Sequence, residues 1–147
     1  MAVSRSVLRR GGHPSERGGG TLRVAIPVWN DRVSPVFDVA TRIVLVDVEH
    51  GIERARTEES IEETAQPRRV RRLVDRGVKV LICGGISRTL TTMLADAGVT
   101  VIGWRTGLVD AVLRAYLEGR LEEPRWQMPG RRVRREAAKM RGSARRA

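Results

Sequence analysis

The stretch VKVLICGGISRTLTTMLADAGVTVIGW, residues 78–104, decides the fold. Val78 to Cys83 is apolar except for Lys79, the pattern of a short strand buried on both faces. Gly84-Gly85 turns the chain, and Ser87 has the side chain of a helix N-cap. Leu90, Met93, Leu94 and Ala97 then recur at helical spacing, and Gly98 stops the helix. Val99 to Trp104 is a second buried strand. A strand, a helix and a strand in succession form a crossover unit with parallel strands.

The same reading extends outward. On the C-terminal side Thr106 is placed as the cap of another helix, with Val109, Val112, Leu113, Tyr116 and Leu117 on one face and Gly119 at its end. On the N-terminal side Pro67 suits the first turn of a helix. Val70, Leu73 and Val74 follow at helical spacing, and Gly77 closes it. Earlier, Leu22, Val24, Ile26 and Val28 alternate with Arg23, Ala25 and Pro27, a period-two strand. Residues 29–41 read as a long loop. Ile43 to Val48 is a second strand, His50-Gly51 a turn, and Ile52 to Thr57 a polar edge strand closing a hairpin. The expected fold is therefore α/β, one domain with a five-stranded mixed sheet and three helices. Strands one, four and five are parallel.

The 147 residues suit a single domain. The formal net charge of +11 is unevenly placed. Residues 1–20 carry +3, residues 21–119 carry +1 and residues 120–147 carry +7. Three segments follow: a basic, disordered lead over 1–20, the α/β domain over 21–121, and an Arg-rich, mostly disordered tail over 122–147. Residues 134–141 permit a short helix, but one without an apolar stripe. No apolar run reaches the length of a membrane span, and the first twenty residues lack the apolar core of a secretory signal. One cysteine, Cys83, forms no intrachain disulfide and builds no zinc site alone. The expected compartment is the cytoplasm.

Three loops carry the residues suited to binding. Cys83-Gly84-Gly85-Ile86-Ser87-Arg88 joins a strand to a helix start. Its glycines admit a ligand close to backbone amides, and Arg88 adds charge. Trp104-Arg105-Thr106-Gly107 offers amides, a hydroxyl and a guanidinium in the same way. Asn30-Asp31-Arg32-Val33-Ser34-Pro35 follows the first strand. Parallel strands bring all three loops to one sheet edge, at the switch point where open α/β sheets take ligands. The Cys83–Arg88 loop also reads as a plain strand-to-helix turn with glycines for packing. Elsewhere, Glu58, Glu59, Glu62 and Glu63 read as a solvated acidic loop. Asp38 and Asp47 read as turn or capping residues, and His13 and His50 have no partner at ligand spacing. No nucleophile–base pair, phosphate-binding loop or dinucleotide fingerprint assembles, so no enzymatic activity is expected.

Three segments in order resemble a known family. They are Val24-Ala25-Ile26-Pro27-Val28-Trp29-Asn30, Val33-Ser34-Pro35-Val36-Phe37-Asp38-Val39-Ala40 and Leu45-Val46-Asp47-Val48. With Leu81-Ile82-Cys83-Gly84-Gly85-Ile86-Ser87 and Met128-Pro129-Gly130, they resemble the dinitrogenase iron–molybdenum cofactor biosynthesis family. That family includes NifX, NafY and the C-terminal domain of NifB. The resemblance spans about residues 22–130. It implies a ribonuclease-H-like domain with strand order 3-2-1-4-5 and no nuclease activity. It also implies binding of an iron–sulfur or molybdenum-containing cluster. By motif, the implied site falls on Asn30, Ser34, Phe37, Cys83, Gly84, Gly85 and Ser87. Members often carry cysteine after Met-Pro-Gly, where this chain has Arg131-Arg132. Ligation by several cysteines of one chain is therefore excluded. Either charge and amides hold the cluster, or this member has lost it.

The expected function is a non-enzymatic carrier or accessory protein for an anionic metal–sulfur cluster. Arg32, Arg88 and Arg105 supply charge, Gly84, Gly85 and Thr106 supply backbone donors, Ser34 and Ser87 supply hydroxyls, and Cys83 is the one soft metal ligand. Cofactor-biosynthesis proteins are the implied partners. The alternative is an RNA- or protein-binding module acting through the basic tail. Its nucleic-acid binding would be nonspecific, because Trp126 is the tail's only aromatic stacking platform.

Overall fold

The computed structural model describes residues 20–129. The expected lead up to residue 19, the tail from residue 130, the helix over 134–141 and His13 lie outside the described residues. Six strands and three helices appear in the order β1 (Thr21–Trp29), β2 (Arg32–Val33), β3 (Arg42–Glu49), β4 (Ile52–Ser60), α1 (Gln66–Asp75), β5 (Val80–Ile82), α2 (Arg88–Asp96), β6 (Thr100–Ile102) and α3 (Val109–Leu117).

The main path through the sheet is β4-β3-β1-β5-β6, with β2 paired to β1 off that path. β1 runs antiparallel to β3 and parallel to β5, and β5 runs parallel to β6. The count corrects the expected five strands. The sixth, β2, lies inside the stretch expected to be a loop. Asn30 and Asp31 both take positive φ, 52° and 64°. That is the geometry of a two-residue hairpin turn, and it folds Arg32–Val33 back on Val28–Trp29. The same stretch also holds a 3-10 turn at Phe37–Val39.

Alternation along β1, β3 and β5 divides the core into two layers. Val24, Ile26, Val44, Val46, Val80 and Ile82 face α3, packing with Val109, Val112 and Leu113. Ala25, Ile43, Leu45, Leu81 and Cys83 face α1 and α2, packing with Leu73, Leu90 and Leu94. Helices on both faces let the central strands be apolar throughout.

β4 is an exposed edge strand, and it is longer than expected. Glu58 and Glu59 belong to it rather than to an acidic loop. Glu58 pairs with Arg42 of β3, and Glu59 reaches Arg72 of α1 and Arg76 at its C-cap. Glu63 also pairs with Arg72, at 2.9 Å. Glu59 and Glu63 bind α1 to the sheet edge.

The domain extends beyond the expected boundary at residue 121. Pro124–Trp126 form a 3-10 turn, and Gln127 makes an antiparallel bridge with Arg105. Trp126 packs on the α3 layer of the core, close against Gly107. It is therefore a docking residue of the domain and not a free stacking platform.

Candidate functional site

The loops after β1, β5 and β6 do open on one edge, because those three strands are parallel. Backbone hydrogen bonds join the loops to one another. The Gly85 amide donates to Pro35 O at 2.7 Å, and the Phe37 amide donates to Gly85 O at 2.8 Å. The Trp104 and Arg105 amides donate to Gly84 O and Cys83 O. The Val33 amide donates to Gly107 O, and the Val109 amide to Asp31 O.

The glycines serve this joinery. A Cβ on Gly84 would lie 2.6 Å from both Pro35 O and Ser34 O. A Cβ on Gly85 would lie 3.2 Å from Pro35 O and 3.3 Å from the Trp104 ring. The close backbone approach expected at Gly84-Gly85 is real. What approaches is the 34–37 segment of the same chain.

The start of α2 is likewise occupied. Ser87 is its N-cap, and the hydroxyl accepts from the Leu90 amide at 3.2 Å. The Ser87 amide donates to the Asp38 carboxylate at 2.9 Å. Asp38 thus places a negative charge where the helix start favours one. The 3-10 turn that carries Asp38 is held by Arg69 of α1, which is only 3% exposed. Arg69 donates to Phe37 O and Ala40 O at 3.2 and 2.7 Å, and its guanidinium lies over the Phe37 ring. Burial draws the Arg69 pKa below its ordinary value, against the opposing pull of Asp38 and Glu63.

The expected site residues separate into two groups. Asn30, Arg32 and Arg88 are exposed at the edge. Among the described residues no carboxylate pairs with Arg32 or Arg88. The others are enclosed or engaged. Ser34 is buried, and its amide donates to Pro27 O. Phe37 belongs to the core, in the layer facing α1 and α2. Cys83 is fully buried, and desolvation pushes its thiol up to about 12. Its Sγ is therefore a protonated core atom, unlike a reactive, metal-binding thiolate. Arg105 is buried beneath the 121–122 segment. The Thr106 amide donates to Trp126 O at 2.8 Å. Thr106 does not cap α3: that helix begins at Val109 after Leu108, with no side-chain cap. The docked 126–128 segment is bonded to residues 104–106, and the helix begins only at Val109.

Three contributors were not read from the sequence as site residues. In sequence Asp38 has the character of a turn or capping residue, and the amide it accepts from, Ser87, lies 49 residues away. Arg69 stands in a run of four arginines around Val70, where spacing alone does not say which one is buried. Trp104 has φ of 63°, a conformation that sequence does not reveal for a bulky residue.

The model of the family described as dinitrogenase iron-molybdenum cofactor matches residues 20–119. The chain belongs to this family. A Thermotoga protein of the DUF35 family, described as a candidate NifB, is 34% identical, with a TM-score of 0.54 over 67% of this chain and 90% of that one. An uncharacterised protein of Methanocaldococcus jannaschii is 26% identical over 109 residues, 69% of this chain and 91% of the relative. The apo orange protein of Desulfovibrio gigas shares the fold, with a TM-score of 0.56 and 24% identity over 67% of this chain and 88% of that one.

Proposed function

We propose that this domain is a non-enzymatic carrier or accessory protein, of ribonuclease-H-like architecture, that receives an anionic iron–sulfur or molybdenum-containing cluster at the strand-end edge. The observation that carries the reading is the pair Arg32 and Arg88, exposed on two joined loops and without carboxylate partners among the described residues. Family membership supplies the cluster as the class of cargo. Among the described residues no three His, Cys, Asp or Glu side chains gather as a metal-ligand set. The donor set therefore fits a cargo held by charge and surrendered to a partner, and does not fit one ligated permanently. Cys83, enclosed and protonated, takes no part. The partners are proteins of cofactor biosynthesis, and the compartment is the cytoplasm. No helix among the described residues is long and apolar enough to cross a membrane.

Anaerobic calorimetry with tetrathiomolybdate tests this reading. The expected result is saturable binding near one per chain, weakened by Arg32→Ala and by Arg88→Ala. Arg54→Ala serves as control, since Arg54 sits on the far edge strand and pairs with Glu49 at 3.4 Å. Equal losses for all three variants, or no saturable binding, would refute it.

A further inference from the structure

A second recess lies beside the β5 and β6 loops of the same edge, on the side turned away from Arg32. β6, the start of α2 and the 122–127 segment border an open recess of about 360 Å³, lined by Ile86, Val101, Trp104, Arg105, Glu122 and Gln127 among others. That volume lies within the range of small-molecule sites.

Its polar centre is Arg105, 9% exposed. Nε donates to Leu121 O at 3.0 Å, Nη1 to Gly103 O at 2.7 Å and Nη2 to the Glu122 carboxylate at 2.9 Å. A guanidinium has five N–H hydrogens. Among the described residues these three have acceptors, and one on each terminal nitrogen has none. The only paired carboxylate, Glu122, is 80% exposed. So solvated a partner holds weakly, and it leaves Arg105 at little cost. Arg105 itself stays fixed by the two carbonyls.

Trp104 also lines the recess. Its φ of 63° is unfavourable for a bulky side chain. Backbone bonds on both sides impose it: the Trp104 amide to Gly84 O at 2.8 Å, and the Met128 amide to Trp104 O at 3.0 Å. Strain held in this way gathers at binding sites. Here it sets the indole against Gly85, next to the aliphatic side chains of Ile86 and Val101.

We propose that this recess binds a small planar monocarboxylate. The ligand's carboxylate displaces Glu122 and takes the free N–H groups of Arg105, the bidentate geometry in which arginine binds carboxylates best. Its flat body lies against Trp104, Ile86 and Val101. The reading is independent of the cluster site, because neither Arg32, Arg88 nor a metal enters it.

The test is a titration of the full chain with benzoate, followed by amide and indole NMR shifts. Saturable shifts are expected at Thr91, Gly103 and the Trp104 indole N–H. Benzamide, the same shape without the charge, should bind about five- to ten-fold more weakly, because its one neutral oxygen replaces a charged bidentate acceptor. Glu122→Gln removes the competing carboxylate from an exposed position, and it should tighten benzoate binding several-fold. Arg105→Lys, which keeps the charge but loses the fork, should weaken it. Equal binding of benzoate and benzamide would overturn the proposal. So would unchanged affinity in Glu122→Gln, or shifts confined to residues 30–36.

Discussion

Replacing Gly84 by alanine tests the account of the strand-end edge directly. The new Cβ would stand 2.6 Å from two backbone oxygens, Ser34 O and Pro35 O. Ordinary contact begins near 3.4 Å, so one segment must retreat by 0.8 Å (3.4 − 2.6). Neither segment moves freely. The Gly85 amide to Pro35 O bond and the Phe37 amide to Gly85 O bond clamp them together, and Arg69 holds the 37–40 turn from below. Losing those two bonds costs about 1 kcal/mol each. Residual overpacking adds roughly 1–3 kcal/mol. The expected destabilisation is about 3–5 kcal/mol. Gly98→Ala is the comparison: Gly98 has φ of +91° with nothing within 4 Å of its Cβ position. Only backbone conformation opposes that change, at roughly 1–2 kcal/mol. Urea unfolding followed by helix circular dichroism measures both. If Gly84→Ala loses no more than Gly98→Ala, the close approach of the two loops is not what fixes this edge.

Asp38→Ala should cost about 1–2 kcal/mol in the same assay, the loss of a helix cap. Asp38→Asn should recover part of it, because a side-chain oxygen still faces the Ser87 amide. Cys83 makes stability depend on pH at the alkaline end. Its buried thiol keeps the proton up to about 12, whereas an exposed thiol of the unfolded chain loses it near 9.0. The unfolded chain therefore binds fewer protons than the native one in that window. Stability should fall as pH rises from 9 toward 12, by up to about 1.4 kcal/mol per unit. Cys83→Ala should flatten that slope, and a thiol reagent at neutral pH should label Cys83 only after denaturation.

The elements that sequence reveals here are those set by periodicity. β1 and β3 alternate, α2 and α3 carry apolar stripes, and Gly77, Gly98 and Gly119 end helices with φ of 76°, 91° and 74°. Elements set by long-range contact were hidden. The Asn30-Asp31 turn lacks the glycine that normally signals a two-residue hairpin, so β2 passed for loop. Thr106 has the chemistry of a cap, but its amide is bonded to Trp126 O of the returning segment and the helix starts at Val109. At the candidate site, the loops and their convergence were legible from the strand–helix order. Which donors stayed open was not. Gly85, Ser87 and Thr106 all have amides suited to an anion, and carbonyls or the Asp38 carboxylate occupy each of them. Exposure alone separates Arg88 from Arg105, and exposure is a property of the folded neighbours.

Main-chain joinery at the strand ends has an evolutionary consequence. The bonds among residues 31–37, 83–85 and 104–109 are backbone to backbone, so they make few demands on which side chains project from the outer tips. Arg32, Val36, Arg88 and Leu108 are exposed there. Substitution at those four positions alters the charge and shape of the surface without loosening the frame beneath. Relatives can therefore present different surfaces at this edge while inheriting one unchanged chassis.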